Sequence, residues 1–271
     1  MLVSIITINL NNVKGLEKTI KSVADQSNKN FEYIVIDGNS IDGSQQLLVQ
    51  YNQYIDRSFS ESDTGIYNAM NKGVKYATGD YCLFLNSGDI LADKDVIDNL
   101  YKKELQAEII TGDTILFPGE EIWKSPETVS LLTFFKGSLS HQSTLIKKEL
   151  LIKYPYDETK KIVSDWKFCI ETLVVHNYSY QRYDGVISKY DKTGISSSPE
   201  NFKKADNEKL EALRELLPPR IILDYDSLIN GETPFEKLIL RISRNPKYSQ
   251  LLYNILSPLT NIYCNFFKKK L

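Results

Sequence analysis

Three short polar clusters interrupt an otherwise apolar first third of the chain. They are Asn9-Leu10-Asn11-Asn12, the run 37–44 opening with Asp37-Gly38-Asn39-Ser40, and Asn86-Ser87-Gly88-Asp89. Asp63 and Lys72 stand between the second and third clusters. His141 lies further on in Ser140-His141-Gln142, and Asp165 in Ser164-Asp165-Trp166. These residue types suit a small set of tasks. An ionised Asp only accepts hydrogen bonds, so it can read an N–H on a ligand. Carboxylate and other oxygens hold hard dications, which neutralise charge building up on a departing group. A carboxylate beside the reacting atoms can take the proton of a hydroxyl, and a Lys meets a phosphate as a point charge.

The clusters need elements to carry them. Residues 2–8, 33–36 and 81–85 are short apolar runs rich in β-branched and aromatic residues, and each ends at one of the clusters. They read as buried strands. Between them, Leu16, Ile20, Val23 and Ala24, and later Ile66, Met70, Val74 and Ala77, recur at helical spacing. A short helix over 44–53, with Ser44 at its start, a helix over 95–105 and a strand over 108–111 continue the alternation. Strand–helix alternation implies parallel βαβ units. Ligands on such sheets bind beyond the carboxyl ends of the strands, where the three clusters sit. The second half is less regular, with strand-like pieces at 115–117, 143–146 and 185–190 and helical patterns at 163–175 and 201–217. Pro218-Pro219 then stops the last helix and marks a boundary.

Bulk properties narrow the class. With 271 residues the chain suits one large α/β domain plus an appendage. Its 42% hydrophobic and 25% charged content excludes disorder over the whole length. A net charge of −2 gives no reason to expect a nucleic-acid partner. Three dispersed cysteines, Cys82, Cys169 and Cys264, form neither a disulfide framework nor a zinc pattern and suit a reducing cytoplasm. The N-terminus lacks a signal-peptide pattern, and no stretch approaches 18 uncharged apolar residues.

Several ordered segments together resemble family 2 glycosyltransferases: VSIITINLNN at 3–12, VIDGNSIDGS at 35–44, SESDTGIYNAMNKGVKYATGD at 60–80, YCLFLNSGD at 81–89 and SHQSTLIKKEL at 140–150. Within that family the chain is similar to the bacterial branch that builds exopolysaccharides, capsules and O-antigens. The resemblance spans about residues 1–200. It implies an inverting enzyme with a GT-A fold, a Rossmann-like mixed sheet flanked by helices. Residues 1–217 would form that domain, with 1–112 binding the nucleotide-sugar and 113–217 the acceptor, and 218–271 would be a helical appendage. The donor would be a nucleoside-diphosphate sugar, a UDP-sugar by expectation, and the acceptor a saccharide or a lipid-linked saccharide.

The resemblance also implies roles. Thr7 and Asn9 would line the nucleotide pocket. Asp37 would accept from the imide N–H of the base, although an Asp before Gly also caps its own turn. Asn39 and Asp63 would contact the nucleotide. Lys72 would meet a phosphate or else lie on a solvated helix face. Tyr67 would stack on the donor or belong to the core. The segment 86–89 occupies the place of the family's Asp-X-Asp metal motif but departs from it. Asn86 and Gly88 replace the two motif acids, leaving Asp89 as the carboxylate for Mg²⁺ or Mn²⁺, with Asn86 and Ser87 as donor contacts. His141 would be a further metal ligand, an acceptor contact or a structural residue. Asp165 would be the general base, unless it merely favours a helix start, and Trp166 a wall for a sugar ring or core. Lys192-Thr193-Gly194-Ile195-Ser196 resembles the segment that closes over the donor.

From 235 to 271, seven Lys and Arg stand against Glu236 alone, between apolar positions such as Leu238, Ile242, Leu252 and Ile255. This basic amphipathic tail suits an anionic membrane surface, implying peripheral attachment to the inner face of the cytoplasmic membrane. A hairpin packed on the domain or on a partner subunit fits the same pattern. Two rival functions are weaker. A nucleotidyltransferase would want a basic Gly-rich loop after the first strand, where only Lys14 and Gly15 occur. A non-catalytic, nucleotide-sugar-binding or scaffolding relic would explain the thinned acid motif but not the retained Asp165.

Overall fold

The computed structural model describes residues 1–192 and 198–230, and single positions beyond (237, 242, 249, 250 and 254). The expected donor-closing segment from Thr193 to Ser196, most of the basic tail and Cys264 lie outside the described residues. The chain divides into two compact units, Met1–Leu216 and Leu217–Leu271. In the second unit the described element is a helix over Pro219–Asn230. Among the described residues no helix is long and apolar enough to cross a membrane.

The first unit is built on β1, Val3–Asn9. Its β-branched residues are buried on both faces because helices cover both. Val3 and Ile5 pack with Leu16, Ile20 and Val23 of helix α1 (Val13–Ala24). On the opposite face, Ile6 meets the backbone of a later helix. β2 (Glu32–Asp37) lies parallel to β1 on one side, in a register that sets Asp37 beside Asn9. After α2 (Ser44–Gln50), β3 (Arg57–Ser60) adds parallel to β2 and brings Ser60 beside Asp37. After α3 (Ile66–Tyr76) the chain crosses to the other side of β1, where β4 (Tyr81–Phe84) pairs with it in parallel. The order therefore reverses direction at β1, and the crevice between the ends of β1 and β4 is a topological switch point.

Beyond β4 the sheet becomes mixed. β5 (Ile90–Leu91) follows the 86–89 turn, and α4 (Val96–Tyr101) leads into β6 (Ile109–Phe117), one continuous strand where the sequence suggested two pieces. β7 (Glu121–Trp123) pairs back on β6 as a hairpin. After α5 (Leu131–Lys136), β8 (Thr144–Lys147) inserts antiparallel between β4 and β6. α6 (Lys148–Lys153) and α7 (Ser164–Cys169) follow, and α7 runs on into a π-helical segment, Ile170–Val175, inside what the periodicity predicts as one helix. β9 (Tyr180–Asp191) pairs parallel with β6 and antiparallel with β5, and α8 (Phe202–Leu216) closes the unit. The described strands form one nine-stranded sheet ordered β3-β2-β1-β4-β8-β6-β9-β5, with β7 on β6. The expected mixed sheet flanked by helices is present. β3, β5 and β7 carry no signal in the sequence, being two to four residues long and, in β3 and β7, mostly exposed.

Gly73 of α3 packs directly against Ile6 of β1. A Cβ there would lie 2.4 Å from Ile6 Cγ2. In a free helix Gly→Ala stabilises by about 0.8–1 kcal/mol, but overpacking a tight core costs about 1–3 kcal/mol. Gly73→Ala is therefore expected to lower the urea midpoint, with a net loss of up to roughly 2 kcal/mol. A raised midpoint would contradict this packing.

Candidate active site

A cavity of about 450 Å³ opens at the switch point. Asn9 and Asn12 reach it from the end of β1 and the cap of α1, and Asn86, Ser87 and Asp89 from the turn after β4. Asp63 and Tyr67 come from the start of α3 and the loop before it, His141 from the turn before β8, and Asp165 from the first turn of α7. Residues more than 150 positions apart thus meet because each closes an element whose carboxyl or amino end faces the same crevice.

The 86–89 turn is fixed from α1. Thr19 Oγ1 donates to the Asp89 carbonyl (2.7 Å) and accepts from Gly88 N (3.0 Å). Asn12 caps α1 through Gly15 N (3.1 Å) and donates to the Ser87 carbonyl (3.0 Å). Gly88 sits at φ +111°, where a side chain would strain the turn. Asp89 is 5% exposed, and its Oδ1 accepts from Asp191 N at the end of β9 (3.0 Å). Burial, aided by the nearby Asp191 carboxylate, pushes its pKa up to about 6, against the opposing influence of His141 and the Asp191 amide.

Asp165 is held at both oxygens. Tyr67 Oη donates to Oδ1 (2.8 Å), and His141 Nδ1 lies 3.3 Å from Oδ2. Burial alone would raise this carboxyl, but the His141 and Tyr67 hydrogen bonds outweigh it and keep the pKa below its ordinary value. Asp165 is therefore ionised at neutral pH. The Trp166 backbone N–H also favours the charged form, and of the carboxylate's roughly four lone-pair sites one remains for a further proton. The same geometry places Tyr67 in the wall beneath the site, with its hydroxyl pKa pushed well up by burial and by Asp165.

Other expected site residues lie elsewhere. Thr7 sits one layer below Asn9 on the same strand face, fully buried and bonded to Tyr33 Oη (3.1 Å). Asp37 is also fully buried. Its Oδ1 accepts from Asn9 Nδ2 (2.8 Å) and Ser40 Oγ (2.5 Å), and its Oδ2 from Ser40 N (2.9 Å) and Ser60 Oγ (2.6 Å). With both oxygens engaged, Asp37 ties together the ends of β1, β2 and β3 rather than facing the cavity. Asn39 is exposed, at φ +62°, and accepts from Gln45. Lys72 pairs with Glu61 (2.8 Å) and donates to the Ser62 carbonyl, outside the cavity. His141 engages both ring nitrogens with protein, Nδ1 with Asp165 and Nε2 with Asn86 Nδ2 (3.2 Å), so it offers neither to a metal. Trp166 is core, its Nε1 donating to the carbonyls of Phe134 and Gly137.

The sequence reading missed three cavity residues. Asp191 and Tyr190 end β9 and obey the same strand-end rule as the recognised clusters. Lys161 carries no local signal. It is brought in by the loop before α7, where its Nζ donates to the Thr64 carbonyl (2.9 Å).

The fold and this crevice are those of a GT-A-type glycosyltransferase. S. aureus TarS (residues 1–349), solved in complex with UDP-GlcNAc, superposes with a TM-score of 0.62 over 75% of this chain at 20% identity, and the aligned part is 64% of the TarS chain. The model of glycosyl transferase family 2 matches residues 4–152, and the chain belongs to that family. An uncharacterized glycosyltransferase of Mycobacterium tuberculosis is 32% identical over 219 residues, covering 73% of this chain and 78% of the relative. A PGL/p-HBAD biosynthesis glycosyltransferase of Mycobacterium bovis is 28% identical over 174 residues, 62% of this chain and 68% of the relative. The protein is thus a glycosyltransferase. Asp165 lies beyond the segment that the family model matches.

The Asp89 environment would make binding of a cation at this carboxylate depend on pH. A cation needs the ionised carboxylate. Mn²⁺ affinity is therefore expected to rise as pH increases through about 6 and to level off above it. Calorimetric titration from about pH 5 to 8 checks this, and Asp89→Asn should abolish the rise. An affinity flat across that range would place the cation elsewhere.

Proposed function

We propose that the protein is an inverting transferase that moves a sugar from a UDP-sugar to a hydroxyl of a saccharide or lipid-linked acceptor in surface polysaccharide synthesis. The observation that carries this reading is the ionised Asp165, oriented by two hydrogen bonds and facing the same cavity as the strand-end residues of the nucleotide half. Its free lone pair takes the acceptor's hydroxyl proton. The acceptor oxygen bonds to the anomeric carbon as the bond from that carbon to the diphosphate breaks, and the nucleoside diphosphate leaves with the bonding pair. One such displacement inverts the anomeric centre. A complex with UDP-GlcNAc in the structurally similar TarS supports the donor class, and the PGL/p-HBAD biosynthesis named for the M. bovis relative supports a role in glycan synthesis.

For the nucleotide, Asp63 replaces Asp37 as the carboxylate that reads the base. Its Oδ1 accepts from Gly65 N (2.8 Å), while Oδ2 lies over Gly38, where a Cβ would come within 2.6 Å of it. Among the described residues no donor reaches Oδ2. Two buried amide oxygens at the strand ends, Asn9 Oδ1 and Asn86 Oδ1, likewise lack a partner among the described residues. Buried acceptors without donors are costly, and the hydroxyl and N–H groups of a bound donor would satisfy them.

Charge makes a divalent metal part of this reading. Four carboxylates line the cavity (Asp63, Asp89, Asp165 and Asp191), against one Lys among the described lining residues, Lys161. A diphosphate entering alone would be repelled, since two like charges 4 Å apart cost about 4 kcal/mol at an effective dielectric of 20. Mg²⁺ or Mn²⁺, bound by Asp89 and Asp191, would neutralise the diphosphate and its developing charge. Among the described residues no group of three or more His, Cys, Asp or Glu is placed to hold a metal. The donor's phosphate oxygens would therefore complete its shell, as dications bound with nucleotides usually require. The domain division at 217–218, a cytoplasmic location and membrane contact through the tail complete the proposal.

Calorimetry with UDP, with and without Mn²⁺, tests it. UDP is expected to bind only with Mn²⁺. Asp63→Ala should weaken that binding by roughly tenfold or more, the worth of a charge-assisted hydrogen bond. Asp165→Asn should leave binding intact but cut turnover by about 10²–10⁴-fold. Equal UDP binding without metal, or full turnover by Asp165→Asn, would overturn the reading.

A further inference from the structure

His141 is the side chain whose surroundings the proposed reaction leaves unexplained. Its ring spans the two halves of the site, from Asn86 at the end of β4 to Asp165 at the start of α7. Asn86 Nδ2 can only donate, so the Nε2 facing it at 3.2 Å must be the acceptor. A neutral imidazole with Nε2 as acceptor carries its proton on Nδ1, and that N–H points at Asp165 Oδ2. Asn86 therefore selects the tautomer. Tyr67 holds the other carboxylate oxygen, so the plane of Asp165 is fixed from both sides.

We propose that His141 is a positioning residue for Asp165, locked by the Asn86 amide as the Nδ1–H tautomer, and not a metal ligand. This inference rests on Asp165 being the base. It gives Asn86 a function toward a neutral imidazole that an acid at that position could not serve. A carboxylate facing Nε2 would accept rather than donate, and would demand a proton on that nitrogen. The replacement of an acid by Asn86 and the orientation of the base are then two parts of one arrangement. Removing the Nδ1–H frees the carboxylate to rotate about its last bond and leaves one of its oxygens without a donor. Small misplacements of a reacting group cost about 10²-fold in rate.

Two substitutions separate the nitrogens. Asn at 141 can place an amide N–H near the position of Nδ1, whereas Gln extends its amide to the position of Nε2. With water or saccharide as acceptor and a panel of UDP-sugars with Mn²⁺, His141→Gln is expected to lower kcat by about 100-fold. The donor KM should stay within about twofold, because only the transition state loses. His141→Asn should recover most of the rate, and both variants should bind UDP with Mn²⁺ as the parent does. Wild-type rates in His141→Gln, or loss of UDP–Mn²⁺ affinity in both variants, would overturn the inference. Asp165→Asn tells the two failures apart. If it is active, the base assignment falls and this inference with it; if it is inactive while His141→Gln is active, only this inference falls. An independent reading needs no variant at the site. The chain has two histidines, His141 and His176, so His176→Gln leaves one imidazole for ¹⁵N NMR. Measured well above the ordinary imidazole pKa, it should show Nδ1 protonated; a proton on Nε2 would contradict the lock.

Discussion

The position of β1 between β2 and β4 is the constraint from which the site follows. Both neighbours pair with it in parallel, and they are reached by connections leaving in opposite directions. The carboxyl end of β1 therefore opens on a crevice that no crossover fills. Asp37 seals one side of that crevice. Its four hydrogen bonds bind the ends of three parallel strands into a rigid rim, with no oxygen left over. The other side is the 86–89 turn, pinned by Thr19 and Asn12 of the helix that β1 leads into. The rigidity of both rims lets residues from α7 and β9 face the nucleotide half at defined distances.

Much of this was legible in the sequence. Buried strands ending in polar clusters, and helices with four-residue apolar spacing, reveal a parallel half-sheet and the side on which ligands bind. The second half was read less well for physical reasons. β8 and β9 are recognisable as apolar runs, but their partners are set by contacts distant in sequence, and β3, β5 and β7 are too short to carry a pattern. At the site, the fold brings Asp165, Asp63, Asn86 and Asp89, all singled out in the sequence, to one cavity. Asp37 illustrates the limit. Its type and place suit base recognition and turn-building equally, and nothing in the sequence announces that Ser60 and Asn9 both donate to its carboxylate. Lys161 was missed because nothing near it in sequence points to a cavity lined from other elements, whereas Asp191 carries the same strand-end signal as the three clusters.

The charge distribution gives the site its character. Four carboxylates around one crevice would repel a lone diphosphate and attract a dication, and the raised pKa of Asp89 registers the cost of burying negative charge beside Asp191. Asp165 in the same cavity is pushed the other way, because Tyr67 and His141 donate to it. Two aspartates in one cavity thus stand in opposite electrostatic settings, which under the proposed reaction suits one to a cation and the other to a proton. The sequence alone, with two of the family's motif acids replaced by Asn86 and Gly88, suggests a weakened metal site. In three dimensions Asp191 restores a second carboxylate beside Asp89.

The central claim is a single displacement with Asp165 as base. It is tested most directly by following the anomer of the sugar first released from an α-linked UDP-sugar, with water as acceptor, by time-resolved proton NMR. The β anomer should appear first and then equilibrate, and its formation should vanish in Asp165→Asn. Initial release of the α anomer, or unchanged release by Asp165→Asn, would contradict the account.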